Sequence, residues 1–173
     1  MGKKKYVAYV GTYTHGSSKG IQVYDVNVEE GTLKERSQVK VSNASYTAIS
    51  KNGKFLYSIE DEGVAVFERD ENGDLTRINS VDIDGMRGCF LATDVDGKYL
   101  YVAGYHDGKV TVVHTHRDGR LGSVMDGVFH KGLGSVAERN FRPHVNCVRP
   151  TPDNKYLCAV DNGIDQVKVY LIN

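Results

Sequence analysis

The 173-residue sequence has no tryptophan, only three prolines and three cysteines, and no surplus of charge: 22 basic residues stand against 22 acidic ones. It also lacks an apolar run of about 18 residues and any helical periodicity sustained over ten positions. Each absence excludes something. Balanced charge argues against a nucleic-acid partner, since binding a phosphate backbone calls for a basic face. The missing apolar run excludes a membrane-spanning helix. The start MGKKK runs directly into the strand-like YVAYV, with neither a signal-peptide apolar region nor a cleavage site, so the expectation is a cytoplasmic protein without a membrane partner. Cys89, Cys147 and Cys158 are odd in number, lack CxxC spacing and fall in or beside strand-like segments. They are expected to be reduced and in or near the core.

The sequence is rich in tyrosine, with 11 against five phenylalanines, and in short glycine-containing turns between apolar runs. The stretch from Gly97 to Val124 sets the pattern: a tight turn, an apolar strand, the polar turn HDG, the strand VTVV, and a further turn at RDG. Related segments begin near Lys5, Lys54 and Lys155; with Lys98 the steps are 49, 44 and 57 residues. A repeat of roughly 40 to 50 residues carrying four strands is the pattern of a propeller blade. The fold class is therefore all-β: a β-propeller with four-stranded antiparallel blades.

Lettering the strands A to D from the axis outwards, blade 1 covers about 5–41, with strands at 6–13, 21–27 and 33–41 and no inner strand. Blade 2 (about 45–83) has strands at 46–50, 55–60, 64–69 and 75–83. Blade 3 (about 88–128) has them at 89–94, 99–104, 110–116 and 121–128. Blade 4 (about 144–173) has them at 145–149, 156–161 and 167–172 and no outer strand. YVAYV, VTVV and KYLCAV are apolar at nearly every position, which predicts strands buried on both faces. About 14 strands make roughly half of a ring, treated as a single partial domain over 1–173. Completion is expected from a second polypeptide, a second copy of the chain, or further sequence, because open blade faces expose apolar surface and unpaired edges.

Meander topology puts the A–B and C–D turns on one face and the B–C and D–A connections on the other. The first set (KNGK, VDGK, PDNK, EEGT, ENGD, RDGR) is short and repetitive. The second is irregular: TYTHGSSKG, EDEG, GYHDG and DNGID, with SNAS, DGMRG and the long segment from Gly127 to Pro143. Variable loops carried on a rigid scaffold are where binding sites are built. The long segment brings His130, Arg139, Arg142 and His144 towards the axial mouth, with His144 the leading candidate and the arginines suited to an anion. His15, Glu60, Tyr105 and Asp161 lie on the same face; Glu60, Asp161 and Asp165 are alternatively turn caps. His114 and His116, two apart on one strand, face the same way, but no third ligand is in view and no metal is expected. The GLGS segment, residues 132–135, lacks the context of a phosphate loop, and no cofactor is expected.

YVGTYTHGSSKGI with Gly31-Thr32-Leu33, then LYSIED, HKGLGSVAER before PH, TPDNKYL and DNGID stand in one order. In that order they resemble the lactonase family of seven-bladed propellers, which includes bacterial 6-phosphogluconolactonase and the fungal carboxymuconate cyclase. The resemblance covers the N-terminal half of a family member. It departs from the family pattern at Asn146, where a second histidine is usual, and at Gly104, Asn140 and Asn162. It implies hydrolysis of a sugar lactone, 6-phosphogluconolactone foremost, by the completed propeller. His144 and Arg139 are implied as catalytic groups, with Arg142, Glu60, Tyr105, Asp161 and His15 at the substrate. A binding scaffold for protein or carbohydrate on the same face, and a muconate cycloisomerase, are the alternatives.

Overall fold

A computed structural model describes residues 5–136, 138 and 140–173. Fourteen strands make four antiparallel sheets, and no helix occurs among the described residues. The first sheet contains β1 (Tyr6–Gly11), β2 (Gly20–Asn27) and β3 (Thr32–Lys40). The second contains β4 (Thr47–Ile49), β5 (Phe55–Glu60), β6 (Gly63–Arg69) and β7 (Leu75–Asp82). The third is β8 (Phe90–Thr93), β9 (Tyr99–Gly104), β10 (Lys109–Thr115) and β11 (Leu121–Phe129). The fourth is β12 (Val145–Pro150), β13 (Tyr156–Asp161) and β14 (Gln166–Leu171). Each sheet is ordered as the chain runs, so every connection is a hairpin turn or a step to the next sheet. All fourteen expected strands are present; β5, β9 and β13 match residue for residue, β1 ends two residues early, and the rest differ by one residue at one or both ends.

The recurring A–B turn shows why the pattern was readable. In KNGK, VDGK and PDNK the third residue adopts a left-handed conformation, with φ of 73° at Gly53, 69° at Gly97 and 57° at Asn154. Glycine takes that conformation without a Cβ penalty, and asparagine is among the few residues that tolerate it. In each case the amide of that residue bonds back three positions, to the carbonyl of Ser50, Asp94 or Thr151.

Alternation along the strands divides the core into three layers between sheets. Leu56, Ala65 and Phe67 point one way, to Ile21, Val41 and Ala44 of the first sheet and its exit. Phe55, Tyr57, Ile59, Val64 and Val66 point the other way, to Leu91, Leu100, Val102, Val113 and Leu121 of the third sheet. Tyr101, Ala103 and Val110 meet Val145, Val148, Leu157 and Ala159 of the fourth. Polar side chains stitch the layers: Asn79 exchanges two bonds with the Leu121 backbone (2.8 and 3.0 Å), and the Tyr9 hydroxyl donates to the Gly73 carbonyl at 2.6 Å.

Burial on both faces holds for β5, β6, β9 and most of β10, and fails for β1 and β13. Among the described residues the first and fourth sheets have a neighbour on one side only. Their other faces are open: Tyr6 and Val10 are 46% and 40% exposed, and Tyr156, Val167, Val169 and Leu171 are 43–65% exposed. The three cysteines are half-buried and unpaired.

Candidate active site

The site is assembled where β13 ends, on the face of the B–C and D–A connections. Asp161 closes β13, and its side chain is fully buried. Oδ1 accepts the backbone N–H of His144 at 2.7 Å and that of Gly163 at 3.0 Å, while Oδ2 lies 2.7 Å from Nδ1 of His130. One carboxylate thus binds the long connection at both its ends and the B–C turn of the fourth sheet. Gly163 is required there by close approach: a Cβ would overlap the Arg142 carbonyl oxygen and lie 2.7 Å from the His144 nitrogen.

His144 is 7% exposed. Its Nδ1 lies 2.7 Å from the carbonyl oxygen of Tyr105, which can only accept, so Nδ1 carries the ring proton. With Nδ1 so engaged, Nε2 is the nitrogen left for proton exchange, and it has no hydrogen-bond partner among the described residues. The Tyr105 ring stacks on the imidazole at 4.3 Å and 16°, and Phe141 meets it edge-on at 6.4 Å. Position, tautomer and ring plane are all fixed from the protein side.

The residue after Val145 adds a second feature. Val145 pairs with Asp161 and Cys147 with Val160, so Asn146 is an extra residue, a β-bulge, of the kind that re-aims side chains beside functional sites. Its Oδ1 is buried without a hydrogen-bond partner. Arg142 is exposed, with its guanidinium over the Phe141 ring at 5.6 Å and no carboxylate partner among the described residues.

The remaining expected residues fall as follows. Arg139 lies outside the described residues. Tyr105 contacts His144 through both its ring and its carbonyl. The Glu60 carboxylate is taken by Arg77 of the outer strand β7, at 2.9 and 3.1 Å. His15 stacks on Tyr13 at 6.2 Å; beside it Arg87 lies over Tyr13 at 5.1 Å and pairs with Asp61 at 3.2 Å. That second cluster belongs to the loops of the first two sheets, and no hydrogen bond or ring contact joins Glu60 or His15 to His144. His130, expected at the mouth, is instead buried, because its ring is held between Asp161 and the Tyr170 hydroxyl, 2.9 Å from Nε2. Asp165 fastens the long connection, accepting Ser135 N–H and O–H at 2.6 Å and Asn140 Nδ2–H at 2.8 Å. The His114 and His116 rings meet edge-on, 4.6 Å apart at 88°, and the described residues contain no cluster of three or more potential metal ligands.

Sequence reasoning missed two residues. Tyr170 sits at an inward position of β14, which its alternation with Val169 and Leu171 signals. Lys109 is 6% exposed and donates to the carbonyls of Ile83 (2.9 Å) and Asp84 (2.7 Å), fixing the connection before β8. Nothing in its local sequence distinguishes it from a surface lysine.

Residues 7–173 match the family described as "Lactonase, 7-bladed beta-propeller". The chain belongs to this lactonase family. Within it, the 6-phosphogluconolactonase of Bacillus subtilis (strain 168) is 40% identical over 172 residues, 96% of this chain and 49% of that protein. A candidate 6-phosphogluconolactonase of Bacteroides fragilis superposes with a TM-score of 0.91 at 39% identity, over 99% of this chain and 49% of that one. The periplasmic gluconolactonase PpgL of Pseudomonas aeruginosa superposes at 0.88 with 31% identity, over 96% and 50%. The chain thus spans about half the length of the lactonases it matches.

Proposed function

We propose that the completed propeller is a carboxylic ester hydrolase that opens a sugar lactone, converting 6-phosphogluconolactone to 6-phosphogluconate in the cytoplasmic pentose phosphate branch of glucose metabolism. The observation that carries this reading is the His144 ring: Nδ1–H held by the Tyr105 carbonyl leaves Nε2 as a fixed proton acceptor on the loop-rich face. Lactone hydrolysis requires such a group. His144 Nε2 takes a proton from water as the oxygen attacks the ring carbonyl; the tetrahedral oxyanion collapses, the ring C–O bond breaks, and the imidazolium returns the proton to the departing alkoxide. Arg142, unpaired and beside His144, holds the oxyanion or the phosphate, and Arg139 shares this role. Tyr105 lines the substrate. Names of relatives support lactone chemistry, and three unpaired thiols suit a reducing compartment. The open faces of the first and fourth sheets are covered by the rest of a ring or by a second copy of the chain.

Turnover of 6-phosphogluconolactone by the protein and its His144→Ala, Arg142→Ala and Arg139→Ala variants tests this. His144→Ala should lose roughly 10²- to 10⁴-fold in kcat. Near wild-type rates in all three variants would remove the assignments, and a protein that binds the lactone without turning it over would be a binding scaffold.

A further inference from the structure

Behind His144 lies a buried titratable group with no part in the reaction above. The His130 side chain is fully buried, as is Asp161. Asp161 Oδ2 accepts from Nδ1, so the neutral ring is the Nδ1–H tautomer, and its Nε2 accepts the Tyr170 O–H at 2.9 Å. Burial, the largest influence, holds the His130 imidazole below its usual value, with Lys168 acting the same way and Asp161 opposing. The 2.7 Å contact is therefore a neutral imidazole donating to a carboxylate. Every hydrogen in the chain Tyr170–His130–Asp161 then has a single placement, and the chain ends on the backbone N–H groups of His144 and Gly163.

The geometry points to Asp161 and His130, anchored by Tyr170, as positioning residues that fix the backbone of His144 and thereby aim its Nε2. None of the three touches the reacting atoms. Asp161 has no oxygen left for a ligand: both are engaged, and its side chain is fully buried. Tyr170 lies on β14, so the outermost strand of the fourth sheet is linked through three side chains to a residue that enters its innermost strand. The inference rests on the lactonase reading for its effect on rate, and the link itself stands on geometry alone.

The test compares His130→Asn, whose amide retains a donor to Asp161, with His130→Leu, which has none, and adds Asp161→Ala and Tyr170→Phe. In lactone hydrolysis by the protein as the cell makes it, His130→Leu and Asp161→Ala should lower kcat at least tenfold. KM should change less than threefold, and folding should be intact by circular dichroism. His130→Asn should recover most of the rate, and Tyr170→Phe should stay within about fivefold of wild type. A purely structural role would not separate Asn from Leu at position 130 in folded protein. Wild-type kcat in folded His130→Leu would overturn the proposal. NMR gives an arm independent of activity: the wild-type His130 ring should be the Nδ1–H tautomer, with slowly exchanging His144 and Gly163 amides that Asp161→Ala, which has no acceptor, exposes. If the wild type hydrolyses no lactone, the lactonase reading fails while this arm still decides the link. An Nε2–H tautomer, or fast-exchanging amides in the wild type, would sink it.

Discussion

The Tyr105 ring lies face to face with the His144 imidazole, 4.3 Å between centroids and 16° between planes, while the Tyr105 carbonyl holds Nδ1 of the same ring. The two contacts are separable by mutation, because only one depends on the side chain. Tyr105→Phe keeps both and should leave kcat within about twofold. Tyr105→Ala removes a stack of the kind worth about 0.5–1.5 kcal/mol, so kcat should fall roughly two- to tenfold while the tautomer persists. Lactonase kinetics with imidazole NMR would check both halves; a tautomer change in Tyr105→Ala would show that the carbonyl does not act alone.

Folding stability should depend on pH through His130. Its folded-state pKa is lowered, chiefly by burial. Below about 6.5, the ordinary histidine value, the unfolded chain therefore binds a proton that the folded one resists. Stability is full above that value and is lost as pH falls through the lower folded pKa. Asp61, also lowered, by its bonds to Asn43 first and then Arg87, acts only below the ordinary carboxylate range, so the two windows separate. Urea midpoints from pH 8 to 5 should fall for the wild type and stay flatter for His130→Leu; parallel curves would contradict the assignment.

The strands and the face carrying the site were legible because turn chemistry and apolar alternation are local. KNGK, VDGK and PDNK specify one turn through a left-handed third residue, and the apolar run after each specifies β5, β9 and β13. The position of His144 on the loop-rich face was legible through its place at the end of the longest connection. The partners of Glu60 and His130 were not, because long-range pairs such as Glu60 with Arg77 and His130 with Asp161 leave no spacing signal. Nor does composition alone tell a strand buried on two faces from β13, whose apolar outer face is open.

Gly163 supplies a stability test of the site's backbone. Alanine there collides with the Arg142 carbonyl and crowds the His144 amide, both main-chain atoms that cannot rotate away. Overpacking of this kind costs about 1–3 kcal/mol. Gly163→Ala should lower the urea midpoint accordingly and reduce activity through displaced His144. Gly31→Ala, at a turn whose Cβ would meet no atom within 4 Å, should lower stability through its φ of 64° alone and leave activity intact. Equal losses of activity in the two variants would refute the assignment.

The last prediction concerns the open face of the fourth sheet. Tyr156 pairs with Leu171, Cys158 with Val169 and Val160 with Val167, giving a cross-strand apolar ladder that is exposed at Tyr156, Val167, Val169 and Leu171. On a bare face Val169→Asp would be nearly neutral, since surface substitutions usually fall within about 0.5 kcal/mol. On a face covered by the rest of a ring or a second copy, the same aspartate is buried without a partner. That costs several kcal/mol and disrupts the assembly. Val28→Asp, in the turn after β2 and 65% exposed, is the control. Val169→Asp should lower stability and abolish turnover while Val28→Asp changes neither; matching denaturation curves and activities would mean that the ladder faces water in the working protein.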